Sequence, residues 1–175
     1  PEEVTRLLDR YFGRMVAAIH SHGGTLDKFM GDGIMAFFGA PQAREQPCAD
    51  AFAAARDMLA ALAEFNRELA GEGRPPLAIG IGLNYGAAVV GYIGAADRHE
   101  YTAIGDVVNA ASRIEGLTKE AGYPLLVSRA VLERLPGSDG FVPLGERAIK
   151  GRAAVEVFGW RPAPSHGDRL FDKGA

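Results

Sequence analysis

Hydrophobic side chains recur every three or four residues in three separate stretches of the chain. The first stretch has its apolar positions at Val4, Leu7, Leu8, Tyr11, Phe12, Met15, Val16 and Ile19. This spacing predicts an amphipathic helix with one buried face, which is expected to end before Gly23. The same spacing over residues 52–69 predicts a second long helix, and a third is expected to begin at Asp106 and run toward Gly122.

Strands are predicted where β-branched and aromatic residues replace this helical spacing. Residues 25–30 and 34–38 flank a Gly-Asp-Gly turn, and an Asp-Gly pair accepts the positive φ angles of tight hairpins. The remaining predictions are two buried central strands within 77–96, a strand at 125–128, a helical turn at 129–135 and a last hairpin in 141–160. This order predicts an α+β fold in which helices cover a mostly antiparallel sheet.

The length and composition of the chain fit one domain. It has 175 residues, of which 47% are hydrophobic, and this is enough for a single core. We expect the domain to span residues 1–161. Residues 162–175 have no hydrophobic period and are expected to form a disordered tail.

Charge and cysteine content narrow the classes of function. The net charge is -3 and the basic residues are scattered, so a nucleic-acid groove is not expected. No apolar run approaches the roughly 18 residues of a membrane span, and we expect no membrane contact by this segment. The single cysteine, Cys48, excludes an internal disulfide. This agrees with a cytoplasmic location, whether or not the parent protein is tethered to a membrane.

Two charged side chains interrupt the apolar segment around the first predicted hairpin. Asp32 lies between glycines at the turn, where it is sterically open, and an open carboxylate oxygen suits Mg²⁺ bound together with a phosphate. Taken alone, the same residue is also an ordinary turn residue. Lys28 is predicted to share a strand face with Leu26 and Met30, so its ammonium group needs either a route to water or a partner.

A second pair of polar residues lies on the third predicted helix. Asn109 and Arg113 stand four residues apart, and their side chains suit a ribose and a phosphate, although a solvated helix face has the same pattern.

Two other common nucleotide-binding motifs do not occur in the sequence. No GxxxxGK[ST] segment occurs, and the glycines of GIGLNYG have the wrong spacing for a dinucleotide fingerprint.

Three longer motifs, taken together, point to one family. The segments GGTLDKFMGDGIMAFFGAP, RHEYTAIGDVVNAASRIEG and IKGRAAVEVFGW occur in this order within residues 1–160. This combination closely resembles the catalytic domain of class III nucleotidyl cyclases, in particular bacterial adenylate cyclases. The resemblance implies a ferredoxin-like, palm-type core. It also implies conversion of ATP to 3′,5′-cyclic AMP and pyrophosphate by two-metal catalysis at the interface of a head-to-tail homodimer, with a fused regulatory domain in the full-length protein.

The resemblance assigns a role to each candidate site residue. Mg²⁺ is expected, two ions per site with Mn²⁺ as a substitute, and Asp32 matches one of the two metal-binding aspartates. The substrate contacts would come from Lys28 and Thr102 for the base, Asn109 for the ribose, Arg113 for the charge at the transferring phosphorus and Lys150 for the terminal phosphates. Since one subunit brings the metals and the other brings these contacts, Lys28 and Asp32 would serve opposite active sites.

The choice of base can be argued from hydrogen-bond chemistry. A lysine ammonium group offers only donors, adenine N1 is an acceptor, and guanine presents N–H donors at that edge. Lys28 therefore favours ATP, whereas guanylate cyclases of the family carry an acidic residue at this position. A guanylate cyclase is the nearer alternative, and a noncatalytic cyclase-like regulatory dimerisation module is the other.

Two departures from the family pattern bear on activity. The other metal-binding aspartate lies in a family segment resembling FxDIxGFT, and no such segment occurs in these 175 residues. We therefore expect an incomplete metal site, either because the chain is truncated or because the domain is a degenerate partner. The intact set of downstream residues favours truncation. In addition, Ala87 stands where some members carry a phosphate-binding arginine.

Overall fold

Five helices and eight strands make up the part of the chain that the computed structural model describes, residues 1–151 and 153–164. In chain order they are α1 Glu2–Ser21, β1 Thr25–Met30, β2 Gly33–Phe37, α2 Pro47–Gly71, β3 Ile81–Leu83, β4 Val89–Ala95, β5 Arg98–Ile104, α3 Asp106–Gly116, α4 Thr118–Ala121, β6 Leu125–Ser128, α5 Arg129–Leu132, β7 Val142–Arg147 and β8 Val155–Trp160. Most of the predicted tail, residues 165–175, lies outside the described residues.

The strands form one four-stranded sheet and two separate hairpins. The larger sheet has the order β3-β6-β8-β7, and the hairpins are β1-β2 and β4-β5. Every pairing is antiparallel except that of β3 with β6, which is parallel because the chain crosses over through β4, β5 and α3 between them. The predicted α+β fold with mostly antiparallel pairing is confirmed.

Strand β6 lies at the centre of the core, with helices on both sides. Leu125 and Val127 pack toward α2, in a cluster with Cys48, Ala55, Leu59, Ile81, Val131 and Phe158. Leu126 points to the opposite face, where it packs with Ile114 of α3, Ile149 and Val157. A third cluster joins α1 to α2 through Tyr11, Met15, Leu62, Phe65 and Leu69. The four-stranded sheet is therefore covered by α2 on one face and by α3 on the other.

Two predictions about the middle of the chain are wrong. The strand β5 is missed, because its first residues, Arg98 to Tyr101, are mostly polar and give no apolar alternation. Residues 77–96 do not form two buried central strands, since β4 belongs to a separate hairpin in which Val89 and Tyr92 are 68% and 75% exposed. Small and β-branched residues are typical of buried strands, but here they form a separate hairpin with exposed side chains.

The third helix is shorter than predicted. It ends at Gly116, and a separate turn, α4, follows and is closed by Gly122 in the left-handed conformation, with φ of 74°.

Among the described residues, no helix has the length and apolar character needed to cross a membrane.

Helix α3 rests directly on strand β3 at Gly82. A Cβ atom added to this glycine would lie 2.6 Å from the carbonyl oxygen of Ala111 and would also meet the backbone nitrogen of Glu115. Both neighbours are helix backbone and cannot rotate away. The absence of a side chain at residue 82 therefore sets the distance between α3 and the sheet.

We predict that Gly82→Ala lowers the free energy of unfolding by about 1–3 kcal/mol, because the added methyl group forces α3 away from β3. Urea denaturation measures this change. Gly13→Ala is the matched control, since nothing lies within 4 Å of an added Cβ there and the residue is in helix α1. That variant should gain about 0.5–1 kcal/mol. A Gly82→Ala protein as stable as the wild type would contradict the close packing.

Candidate functional site

The first hairpin contains a β-bulge that sets the direction of Lys28. Leu26 pairs with Ala36 and Lys28 pairs with Met35, so Asp27 is an extra residue in β1. Since cross-strand partners share a face, Lys28 and Leu26 lie on opposite faces. The prediction that Lys28 shares a face with Leu26 is therefore wrong, while its shared face with Met30 agrees with the register.

The extra residue, Asp27, connects the two base-contacting candidates. Its side chain is only 1% exposed. One oxygen, Oδ2, accepts a hydrogen bond of 2.6 Å from the Thr102 hydroxyl and one of 3.1 Å from the backbone N–H of Ala103. The other oxygen, Oδ1, lies 3.7 Å from the Lys28 ammonium nitrogen. Lys28 and Thr102, which are 74 positions apart in the sequence, are thus held around one buried carboxylate.

Sequence reasoning missed Asp27. The residue was visible in the motif TLDKFM as a second charge beside Lys28. Its burial and its bond to Thr102 depend on the bulge and on a strand that is 75 residues away, and no local pattern reports either.

Asp32 lies at the exposed tip of the same hairpin, as predicted. Its negative charge raises the pKa of two neighbouring side chains, Tyr11 and Glu115. The pKa of the Tyr11 phenol lies above its ordinary value, first because the group is buried and second because Asp32 is nearby. The pKa of Glu115 is raised by the same two causes in the same order. The space around Asp32 therefore carries negative potential.

Asp32 is the candidate metal ligand at this tip. Within the described residues, no group of three or more His, Cys, Asp and Glu side chains could hold a metal ion. Asp32 is an open carboxylate and suits a hard cation as one ligand.

Arg113 and Lys150 line one cavity. Its volume is about 300 Å³, and Leu117, Ala148 and Ile149 complete the lining. Asn109 lies one helical turn before Arg113 on the exposed side of α3, whose buried residues are Ala110 and Ile114. Two cationic side chains beside one cavity favour an anionic occupant.

The six predicted residues therefore fall into three groups. Lys28 and Thr102 meet at Asp27, Arg113 and Lys150 meet at the cavity with Asn109 nearby, and Asp32 stands apart at the hairpin tip. Lys28 lies within β1, two residues before the strand ends at Met30, whereas Asp32 lies in the turn that follows.

Comparison with known proteins identifies the family. The family model described as "Adenylate and Guanylate cyclase catalytic domain" matches residues 1–160.

The chain belongs to this family of cyclase catalytic domains.

Two curated relatives are named as adenylate cyclases. Adenylate cyclase 1 of Rhizobium meliloti is 37% identical over 159 residues, which cover 90% of this chain and 24% of the relative. The adenylate cyclase of Anabaena cylindrica is 40% identical over 162 residues, which cover 90% of this chain and 31% of the relative. The chain thus spans about a quarter to a third of the length of these relatives.

Solved structures of cyclases of both specificities share the fold. The guanylyl cyclase Cya2 superposes with a TM-score of 0.80 at 39% identity, over 91% of this chain and 80% of that one. The adenylyl cyclase CyaB from P. aeruginosa superposes with a TM-score of 0.78 at 32% identity, over 94% of this chain and 85% of that one. The cyclase fold predicted from the motifs is confirmed.

We predict that Asp32→Asn lowers the pKa of Tyr11 in metal-free buffer, because the substitution removes the second of the two causes that raise it. The pKa should stay above the ordinary tyrosine value, since burial is the larger cause. NMR titration of carbon-labelled tyrosine, with Tyr11→Phe to assign the signal, measures the change. An unchanged Tyr11 pKa would show that Asp32 does not face this helix.

Proposed function

We propose that this domain is an adenylate cyclase that converts ATP to 3′,5′-cyclic AMP and pyrophosphate. In this reaction the ribose 3′-oxygen forms a bond to the α-phosphorus and loses its proton to solvent. The bond from the α-phosphorus to the bridging oxygen breaks, and pyrophosphate leaves with the electron pair. The observation that carries the proposal is the pair Lys28 and Thr102, held around Asp27 between the β1-β2 and β4-β5 hairpins.

The chemistry of this pair fits adenine better than guanine. The Lys28 ammonium group can only donate, so it complements the acceptor N1 of adenine and meets the N1–H donor of guanine. A buried donor that faces another donor costs about 1–3 kcal/mol. The names of the curated relatives, adenylate cyclases at 37% and 40% identity, support the same base.

The remaining residues act on the ribose and the phosphates. Asn109 positions the ribose, Arg113 stabilises the negative charge that grows at the transferring phosphorus, and Lys150 holds the terminal phosphates. The shared cavity of Arg113 and Lys150 supports these roles. Asp32 serves as one ligand of a Mg²⁺ site that Mn²⁺ can also fill, with two ions per site expected in the complete enzyme.

Exposed apolar side chains support a site shared between two copies of the domain. Phe29 and Met30 at the end of β1 are 47% and 51% exposed, and Val89, Tyr92 and Ile104 of the β4-β5 hairpin are 68%, 75% and 51% exposed. Apolar groups that are clustered on strands usually mark an interface. A head-to-tail homodimer covers them and brings Lys28 of one copy to the site that contains Asp32 of the other. We place this dimer in the cytoplasm, joined to a regulatory domain.

A guanylate cyclase is the second candidate. The specific observation in its favour is the solved structure of the guanylyl cyclase Cya2, which superposes with a TM-score of 0.80 at 39% identity. The lysine at residue 28 argues against guanine, so substrate preference separates the two.

We expect the natural full-length protein to turn over ATP faster than GTP in Mg²⁺ or Mn²⁺, and to sediment as a dimer. Cyclic nucleotide formation is measured for both substrates, and Asp32→Ala is the control that should lose activity while it keeps the dimer. A preference for GTP would replace the proposal by a guanylate cyclase. Binding of nucleotide without turnover of either substrate would indicate the noncatalytic dimerisation module.

We predict that Arg113→Ala lowers kcat by about 10²–10³-fold and changes KM little, because its guanidinium group matters most as charge builds in the transition state. Lys150→Ala is the matched comparison from the same cavity. Its main effect should be a higher KM, since the terminal phosphates are bound about equally in the ground state and in the transition state. Steady-state kinetics with ATP measure both, and an Arg113→Ala effect confined to KM would contradict the assigned role.

A further inference from the structure

Asp27 is a buried carboxylate that the proposed chemistry does not yet use. Its side chain is 1% exposed, and burial of a charged group is costly unless partners compensate for it. Within the described residues, Oδ2 has two hydrogen bonds but the buried Oδ1 has none. A carboxylate retained only to anchor two strands would be expected to satisfy both oxygens. The arrangement points to a role toward a ligand.

The first part of that role concerns the hydroxyl group of Thr102. A threonine hydroxyl has one proton and two lone pairs, and it normally rotates to suit its neighbours. Here the proton is committed to Oδ2 over 2.6 Å, while the Ala103 N–H holds the same oxygen in place. The hydroxyl can then offer a ligand only its lone pairs. Asp27 thus turns an ambivalent group into a fixed acceptor.

The second part concerns Lys28. Its nitrogen lies 3.7 Å from Oδ1, which is too long for a hydrogen bond, and its side chain is 41% exposed. The carboxylate therefore attracts the ammonium group toward Thr102 without occupying its protons. The pair presents donors from Lys28 beside an acceptor from Thr102.

This pattern has a definite complement among the bases. Adenine offers the N6 amino donor beside the acceptor N1, whereas guanine offers the acceptor O6 beside the donor N1–H. A freely rotating hydroxyl can donate to guanine O6, but a hydroxyl that already donates to Asp27 cannot. The acceptor at Thr102 therefore rejects guanine independently of Lys28.

We propose that Asp27 is a positioning residue that sets the selectivity for adenine, by fixing the hydrogen-bond direction of Thr102 and the location of Lys28. The inference rests on the proposed function, because it assigns a specificity device to the same site. Asp27 does not touch the nucleotide and acts through the two side chains that do.

The test is the ratio of kcat/KM for ATP to kcat/KM for GTP in the natural full-length protein. Asp27→Ala frees the hydroxyl to rotate, and the ratio should fall by about 5- to 150-fold. Asp27→Asn keeps an acceptor oxygen for Thr102 and Ala103, so it should retain most of the ratio. A merely structural role predicts that both substrates lose activity equally in Asp27→Ala, and an unchanged ratio overturns the proposal.

A double-mutant cycle isolates the contact with Thr102. Thr102→Val removes the hydroxyl at nearly constant shape, so adding Asp27→Ala in that background should change the ratio by less than about threefold. If Asp27→Ala lowers the ratio as much in the Thr102→Val background as in the wild type, the proposal is overturned.

If Asp27→Ala does not fold, an NMR measurement on the wild type decides. Its Thr102 hydroxyl proton should give a resolved NMR resonance that persists when a non-hydrolysable ATP analogue binds, and its loss on binding would contradict the fixed direction.

Different results overturn the proposed function and the role of Asp27. A wild type that prefers GTP overturns the proposed function together with this inference. A wild type that prefers ATP, with an unchanged ratio in Asp27→Ala, overturns this inference alone. If the wild type turns over neither substrate, the affinities for non-hydrolysable ATP and GTP analogues, measured by calorimetry, replace the kinetic ratio with the same expected change.

Discussion

The arrangement of the site depends on one buried carboxylate between two hairpins. Strands β1 and β5 belong to different two-stranded sheets and share no backbone pairing, so the polar connection between them is made by Asp27 with Thr102 and Ala103. The bulge in β1 makes this possible, because the extra residue turns its side chain inward while the next residue, Lys28, stays half exposed. Sheet geometry, burial and the placement of Lys28 and Thr102 are thus coupled at one position.

Local sequence patterns predict much of this fold. Helices α1 and α2 follow from a hydrophobic period of 3.6 residues, and the first hairpin follows from the Gly-Asp-Gly segment, since each is decided by residues that are close in sequence. The positive φ expected of the Asp-Gly pair is instead at Gly31, with φ of 63°, because the two loop residues are Gly31 and Asp32. Strand β5 and the exposure of β4 could not be predicted, because both depend on which strands pair and on which faces meet the core. Small apolar residues such as those of β4 have the same appearance in a central strand and in a projecting hairpin.

For the candidate site too, the sequence predicts individual residues but not the tertiary contacts between them. The motifs located Lys28, Asp32, Thr102, Asn109, Arg113 and Lys150, but spacing along the chain could not show how they are grouped. The cavity between Arg113 and Lys150 requires α3 to approach the segment after β7, and the contact of Asp27 with Thr102 requires two hairpins to meet. Such contacts are decided by packing across the whole domain rather than by any short segment.

The packing of α3 on Gly82 has a consequence for how stiff each part of the site is. A helix that rests on a strand through backbone atoms has no intervening side chain that can change rotamer, so it cannot slide without being lifted. The backbone of α3, which carries Asn109 and Arg113, is therefore tied to the position of the sheet. The β4-β5 hairpin, which carries Thr102, contacts the β1-β2 hairpin through the hydrogen bond of Thr102 to Asp27 and through the ring contact of Tyr101 with Phe37. The part of the candidate site on α3 is therefore held by backbone packing, whereas Thr102 on β5 is held by side-chain contacts.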